Sequence, residues 1–123
     1  MDPVTLKTTF QKCGSCGKAW NHWRDFILDP DVHLLGFQAI SGLPDANLIV
    51  FEHRCGSTIS VLTKRLRPFF PEIENEPPLP VLLGSDTCNQ YCRDVENLEI
   101  CDRPCENARD RRMIHVLLKM KKG

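Results

Sequence analysis

The stretch KCGSCGKAWNHW, residues 12–23, contains two cysteines three positions apart, and each of them is followed by glycine. Cys13 and Cys16 therefore flank a tight turn, and Gly17 offers that turn a residue that adopts positive φ without strain. Such a pair occurs as half of a metal site, as a redox dithiol or as two inert core cysteines. The rest of the chain has to distinguish these three interpretations.

The cysteine content of the whole chain favours metal binding. The chain has 123 residues and seven cysteines, an odd number that prevents complete intrachain disulfide pairing. Residues 1–7, MDPVTLK, lack the basic and apolar regions of a secretory signal, and no apolar run approaches the roughly 20 residues of a membrane span. We therefore expect a cytoplasmic protein without membrane association. In a reducing compartment, closely spaced cysteines are more often metal ligands or redox groups than disulfides.

Three of the cysteines form a first group together with a histidine. Cys13 and Cys16 are joined by Cys55, and His53 lies two positions before Cys55 in the segment HRCGS. Residues i and i+2 of an extended segment point to the same face, so His53 and Cys55 can present two ligands together. Zinc accepts three cysteines and one histidine in tetrahedral sites. The first group thus predicts a zinc site, for which His22 is a competing fourth ligand.

The other four cysteines form a second group with the spacing C-x3-C-x8-C-x3-C, and they are Cys88, Cys92, Cys101 and Cys105. On a helix, positions i and i+4 share one face, so two short helices could bring the four sulfurs together. Reduced, this set can hold zinc or an iron–sulfur cluster, whereas oxidation would produce two parallel disulfides. Without a secretory signal we favour metal, which predicts two zinc sites in the chain, with iron or iron–sulfur as the alternative cofactor.

Periodicity and turn residues predict an α+β fold. Residues 5–10 are a candidate strand. Apolar residues at spacings of three and four (Trp20, Trp23, Phe26 and Ile27) predict an amphipathic helix that Asn21 can cap and that ends at Asp29-Pro30. The segments DVHLLGFQAI, LIVFEHRC and STISVL are strand-like and are joined by short turns. They predict a small antiparallel three-stranded sheet with a zinc knuckle at its end.

Proline content divides the second half of the chain from the first. The segment RPFFPEIENEPPLP contains five of the nine prolines and is typical of a linker or an extended wrap. We predict a zinc-knuckle lobe over residues 1–67, a proline-rich linker over 68–83 and a cysteine-bearing helical tail over 84–123. Its two C-x3-C pairs predict that the tail folds as a helical hairpin.

Two resemblances accompany these motifs. The C-x-x-C-G-K segment is similar to the first knuckle of zinc ribbons and rubredoxin-like folds, although the second arm here is H-x-C-G. The order of a C-x-x-C-G-K-x-W opening, an F-x-H-x-C-G-[ST]-T segment and a twin C-x3-C tail resembles a group of small uncharacterised bacterial cysteine-rich proteins. That resemblance covers most of the chain and implies a stand-alone bacterial protein, but it brings no activity.

The functional prediction follows from charge and from motifs. Lysine plus arginine equals aspartate plus glutamate at 16 each, so we expect no general attraction to nucleic acid. The basic tail residues 109–122 keep nucleic-acid binding as a less favoured alternative. No phosphate-binding, dinucleotide-binding or HExxH motif is present, and we expect no enzymatic activity. The sequence predicts a zinc-binding adaptor or regulator with a protein partner, and a redox or electron-transfer protein with iron is the alternative.

Overall fold

The computed structural model describes residues 9–40, 43–77, 79–82 and 85–122, and it has an α+β fold. The strands and helices, in chain order, are β1 (Gln11–Lys12), β2 (Ala19–Trp20), α1 (Trp23–Leu28), β3 (Val32–Gln38), β4 (Leu48–His53), β5 (Thr58–Leu62), α2 (Pro71–Glu74) and α3 (Glu106–Lys122). Short 3-10 turns lie at Pro44–Ala46, Thr63–Arg65, Arg67–Phe69 and Tyr91–Arg93. Within the described residues, no helix combines the length and apolar character that a bilayer crossing requires.

The main sheet is an antiparallel meander in the order β3-β4-β5, which confirms the predicted three-stranded sheet. Side chains of β4 alternate, so that Ile49, Phe51 and His53 are buried whereas Glu52 is exposed. His53 is therefore the last inward-facing position of the strand, because side chains of a strand alternate between its two faces. This register places the His53 side chain at the edge of the core.

The N-terminal region differs from the prediction in where strand and helix begin. Trp20 belongs to β2 and pairs with Gln11 of β1, so its inclusion in the predicted helical pattern is wrong. The residue that precedes α1 is His22, and not Asn21, but the helix ends before Asp29 as predicted. Backbone pairing with β1 holds Trp20 extended, and this outweighs the helical spacing of its side chain. The predicted strand over residues 5–10 lies mostly outside the described residues.

One apolar core joins the sheet to the helices. It contains Phe26 of α1, Phe51 of β4 and, from α3, Met113, Ile114 and Leu117, all of them fully or almost fully buried. The division into a lobe, a linker and a tail stays a prediction about independent folding. In the folded chain, α3 and the sheet pack on the same core.

The proline-rich segment, predicted as a linker or an extended wrap, contains short helices. Pro68 lies in the 3-10 turn Arg67–Phe69, and Pro71 begins α2. Proline suits these positions, because the first N–H groups of a helix have no partner within the helix and the fixed φ of proline is already helical. Ile73 of α2 is buried in the shared core.

The tail does not form the predicted helical hairpin in the described residues. The only long helix among them is α3, and both C-x3-C pairs lie before it in irregular chain that contains only the 3-10 turn Tyr91–Arg93. One physical reason is local, since Asp94 and Asn97 accept hydrogen bonds at 3.0 and 2.9 Å from the backbone N–H two residues later. Such bonds compete with helix formation. The segment docks on β3, where the N–H of Phe37 donates to the carbonyl of Val95 at 2.8 Å.

Candidate metal centre

Two tight turns carry the residues of the first predicted group. The cysteine turn, residues 13–17, connects β1 to β2, and the His-Cys turn, residues 53–57, connects β4 to β5. In each turn a glycine near the end has positive φ, +82° at Gly17 and +90° at Gly56. Each glycine N–H donates back to the first ligand residue of its turn, at 3.0 Å to the carbonyl of Cys13 and at 2.7 Å to that of His53.

The four side chains of these turns converge on one point. The ligand atoms of the first cluster, which we define as Cys13, Cys16, His53 and Cys55, all lie within 4.8 Å of one another. The sulfurs of Cys13 and Cys55 are 3.6 Å apart, and the sulfur of Cys16 lies 3.5 Å from Nδ1 of His53. A tetrahedral zinc ion with bonds of about 2.3 Å to sulfur and about 2.0–2.1 Å to nitrogen needs edges of about 3.8 Å between sulfurs and about 3.5 Å between sulfur and nitrogen. These two separations are close to the edges of such a tetrahedron.

Backbone donors make the cysteine turn favourable for a thiolate. The N–H groups of Cys16 and then Ser15 donate to the Cys13 sulfur and lower the pKa of this thiol to about 6, although burial acts in the opposite direction. At Cys55 the backbone N–H of Ser57 also lowers the pKa, but burial and the neighbouring cysteines outweigh it and the pKa is raised. A metal ion binds the deprotonated form of each thiol. The Cys13 thiol therefore loses its proton more readily for coordination than the Cys55 thiol does.

Trp20 packs against the first cluster, and Asp29 holds Trp20 in place. The Trp20 ring meets the His53 ring edge-on at a centroid distance of 5.2 Å and the Phe26 ring at 5.0 Å. Its indole N–H donates to the Asp29 carboxylate at 2.8 Å, and Lys18 also lies 3.8 Å from that carboxylate. The predictions from the sequence used Asp29 only as a helix end. The aspartate-proline pair gave no signal that its carboxylate would anchor the tryptophan that packs against His53.

The two turns are also joined directly at the surface. The hydroxyl of Ser15 donates to that of Ser57 at 3.0 Å. Cys16 and Cys55 are exposed, whereas Cys13 and His53 are buried, so the cluster lies at the edge of the core with one side towards solvent. His22, the competing ligand in the prediction, is exposed at the start of α1 and is not part of the cluster.

The second predicted group lines a different cavity. Cys88, Cys92, Cys101 and Cys105 all contribute to one small cavity beside the beginning of α3. Among the described residues, only the first cluster brings three or more ligand atoms within 4.8 Å of one another, so the four sulfurs around this cavity are more widely spaced. Burial raises the pKa of the Cys92 thiol, and the hydrogen bond from Arg111 acts against this.

Most of the basic residues at the end of the chain are used inside the protein. Arg109 donates to the carbonyl of Glu76 at 2.9 Å, Arg112 pairs with the Glu76 carboxylate at 2.5 Å, and Lys121 donates to the carbonyl of Ile27 at 2.5 Å. These contacts remove support for a continuous basic surface on α3. Nucleic-acid binding through this helix therefore stays a prediction that the geometry does not favour.

No family model, no curated protein and no solved structure matches this chain. The interpretation of the first cluster therefore depends on its own geometry.

Proposed function

We propose that the protein is a non-enzymatic zinc-binding protein that acts as a small adaptor or regulator through contacts with a protein partner. Its zinc ion is held by the first cluster. The observation that carries this proposal is the convergence of three sulfurs and one imidazole nitrogen, all within 4.8 Å, from two separate turns. Three cysteines and one histidine are a complete ligand set for a structural zinc ion.

The completeness of the set favours a structural role for the metal. A catalytic zinc site keeps an open position beside three protein ligands, so that water or substrate can bind. Here the histidine Nδ1 lies 3.5 Å from the Cys16 sulfur, where it can take the fourth position. The zinc ion then fixes the β1–β2 hairpin to the end of β4, and its binding free energy contributes to folding.

The support for an adaptor role comes from the surface above the ion. The two ligand turns are exposed at Ser15 and Arg54, and they are held together by the bond between Ser15 and Ser57. A metal beneath them would make this surface rigid. Preorganised surfaces lose less conformational entropy when they bind a partner.

Iron is the second candidate, because one observation favours it. The Cys13 sulfur accepts two backbone N–H donors, and hydrogen bonds to sulfur together with solvent exposure tune the potential of iron–thiolate centres. An iron form of the first cluster would be an electron-transfer protein. Zinc protein is colourless, whereas iron–thiolate protein absorbs visible light. A visible absorption spectrum therefore distinguishes the two proposals.

The experiment is metal analysis of protein purified without oxygen, in the wild type and in the variant Cys16→Ser. We expect zinc in the wild type and loss of one zinc ion per chain in the variant. A wild-type chain whose zinc content is unchanged by Cys16→Ser contradicts the proposed site, and iron in place of zinc supports the electron-transfer alternative.

The adaptor role needs a separate test. Immobilised zinc-loaded protein should retain a defined partner that Arg54→Glu, which keeps its zinc, does not retain. Leu35→Ser, on an exposed position of β3, is the matched surface control. Equal retention by all three proteins contradicts a role for the surface above the ion.

A further inference from the structure

The second cysteine group surrounds a cavity whose size suits a single ion. The cavity has a volume of about 10 Å³ and is lined by all four cysteines. That volume is about the space that one water molecule needs, and it is too small for an iron–sulfur cluster without rearrangement. The lining also includes Asn107, which is almost completely buried.

Each of the four sulfurs accepts one N–H donor. The backbone N–H of Gln90 donates to Cys88 at 3.2 Å, and that of Leu82 donates to Cys105 at 3.2 Å. The Asn89 side-chain amide lies 3.4 Å from the Cys101 sulfur, and the Arg111 guanidinium donates to Cys92 at 3.5 Å. Hydrogen bonds of this kind orient metal ligands and stabilise their negative charge.

The charge of Arg111 supplies a second, independent observation. Arg111 is only 1% exposed, and it forms no ion pair with a carboxylate among the residues that the structure describes. Its other contacts are with the carbonyls of Asn97 and Glu99, at 2.6 and 3.0 Å, and with the faces of Phe37 and Tyr91. A buried cation without a counter-charge is strongly unfavourable. Four thiolates around a divalent ion carry a net charge of −2, which would compensate the guanidinium.

Asn107 provides a further unpaired donor at the cavity. Its side-chain oxygen accepts from Asn47 at 2.8 Å, but its side-chain nitrogen has no hydrogen-bond partner among the described residues. Buried amide groups in native proteins nearly always have such a partner. A negatively charged ligand shell in the cavity would give this donor an acceptor.

We propose that Cys88, Cys92, Cys101 and Cys105 form a second metal site that binds one zinc ion through four thiolates, separately from the first cluster. Zinc binding closes the four sulfurs around the cavity and releases their four protons, so the bound site has a net charge of −2. Arg111 is the buried counter-charge of this site, and the four N–H donors hold the sulfurs in place. The ion would fix the irregular segment 85–104 to the beginning of α3.

Native mass spectrometry of anaerobically purified, zinc-saturated protein tests this proposal. We expect two zinc ions in the wild type and one in Cys101→Ser. The variant Cys16→Ser should also retain one ion, because it removes the first site alone. Thr87→Ala, beside Cys88, is the matched control and should retain two. A wild-type chain with one zinc ion that persists in Cys101→Ser and disappears in Cys16→Ser overturns the second site and leaves the first intact.

Alkylation of the cysteines covers the case in which a variant fails to fold. In wild-type protein loaded with zinc, Cys88, Cys92, Cys101 and Cys105 should react with iodoacetamide at least about 10-fold more slowly than after a strong chelator is added, as mass mapping would show. Equal rates before and after chelation overturn the proposal. Cysteines that react only after a reductant is added are disulfides, and iron with visible absorption in the Cys16→Ser chain is an iron–thiolate site and not a zinc site. Either result also overturns it.

Discussion

The Arg67 guanidinium donates to both carboxylate oxygens of Asp110, at 2.9 Å each, in a buried ion pair. The same carboxylate accepts from the Thr63 hydroxyl at 2.9 Å and from the Asn47 amide at 3.1 Å. Asp110 lies on α3, whereas its partners precede β4 or follow β5. The hydrogen bond from Arg67 also raises the pKa of the guanidinium. This network ties α3 to both ends of the β4–β5 hairpin through buried polar contacts.

Asp110→Asn should destabilise the protein by about 3–5 kcal/mol, because it leaves the Arg67 charge buried without its partner. Urea unfolding of zinc-saturated protein measures this. Asp45→Asn is the control, since Asp45 pairs with the same arginine but its side chain is 79% exposed, and we expect a loss below about 1 kcal/mol. Equal losses in the two variants would show that the buried pair is not what fastens α3.

Replacement of the two histidines should separate the proposed ligand from its competitor. His53→Ala should reduce zinc affinity at the first cluster by roughly 10-fold or more, a lower bound taken from losses at outer-shell residues. His53→Cys should keep the ion in an all-sulfur shell, and His22→Ala should leave its affinity unchanged. Competition with a chromophoric chelator measures all three. Loss of zinc in His22→Ala together with normal binding in His53→Ala would move the fourth ligand to the start of α1.

Alanine at the positive-φ glycines should strain the two ligand turns. A Cβ added at Gly17 or Gly56 would meet no other heavy atom within 4 Å, so the cost of alanine there is purely conformational. We expect about 1–2 kcal/mol of destabilisation at each position. Gly14→Ala, in the same turn with equal space and without a positive φ, should be close to neutral. Thermal unfolding of the three variants checks this, and a similar loss in Gly14→Ala would indicate that the turn tolerates no side chain for another reason.

The ion pair between Glu76 and Arg112 should make stability depend on acid pH. The hydrogen bond from Arg112 lowers the pKa of Glu76 below its ordinary value of 4.5. A folded-state pKa below the unfolded one means that this stabilisation is fully present above about pH 4.5 and is lost as the pH falls through the folded pKa. The difference in the free energy of unfolding between wild type and Glu76→Gln should therefore shrink on acidification. Because both chains keep the same metal ligands, loss of metal affects them equally. A difference that stays constant down to about pH 3 contradicts this prediction.

Arg111→Gln should weaken the second zinc site by about 10–100-fold and leave the first site unchanged. The reason is that the variant removes the only guanidinium that donates to a ligand sulfur among the described residues. Arg111→Lys should retain part of the affinity, because it preserves the charge. Arg112→Gln, one position along the same helix, is the control. Equal zinc affinity of the second site in Arg111→Gln and in the wild type would show that Arg111 does not support metal binding.

The first cluster could be predicted from the sequence because each half of it is a local motif. Cys13 and Cys16 are fixed by a turn that ends in Gly17, and His53 and Cys55 by the alternation of β4 and the turn at Gly56. Only the contact between the two turns depends on tertiary structure, and it could be predicted because together they supply four ligands. The meander was predictable for a similar reason, since its strands alternate and its connections are short.

The tail could not be predicted in the same way, because its structure depends on distant partners. Gly36 leaves room at β3 for the carbonyl of Val95, which a Cβ at that position would overlap, and this docking holds the segment against the sheet. Periodicity cannot show such a contact. The burial of Arg109 and Arg111 was missed as well, since charged residues near a helix end are ordinarily solvated.

The cysteine turn and the His-Cys turn are far apart in sequence, and this has a consequence for the unfolded chain. The Cys13 and Cys55 sulfurs are separated by 42 residues along the chain. An ion that held both turns would act as a reversible cross-link across that loop. By the chain-entropy relation for cross-links, closing a loop of this length restricts the denatured ensemble by roughly 4 kcal/mol. The chain could then open fully only after the ion had left both turns.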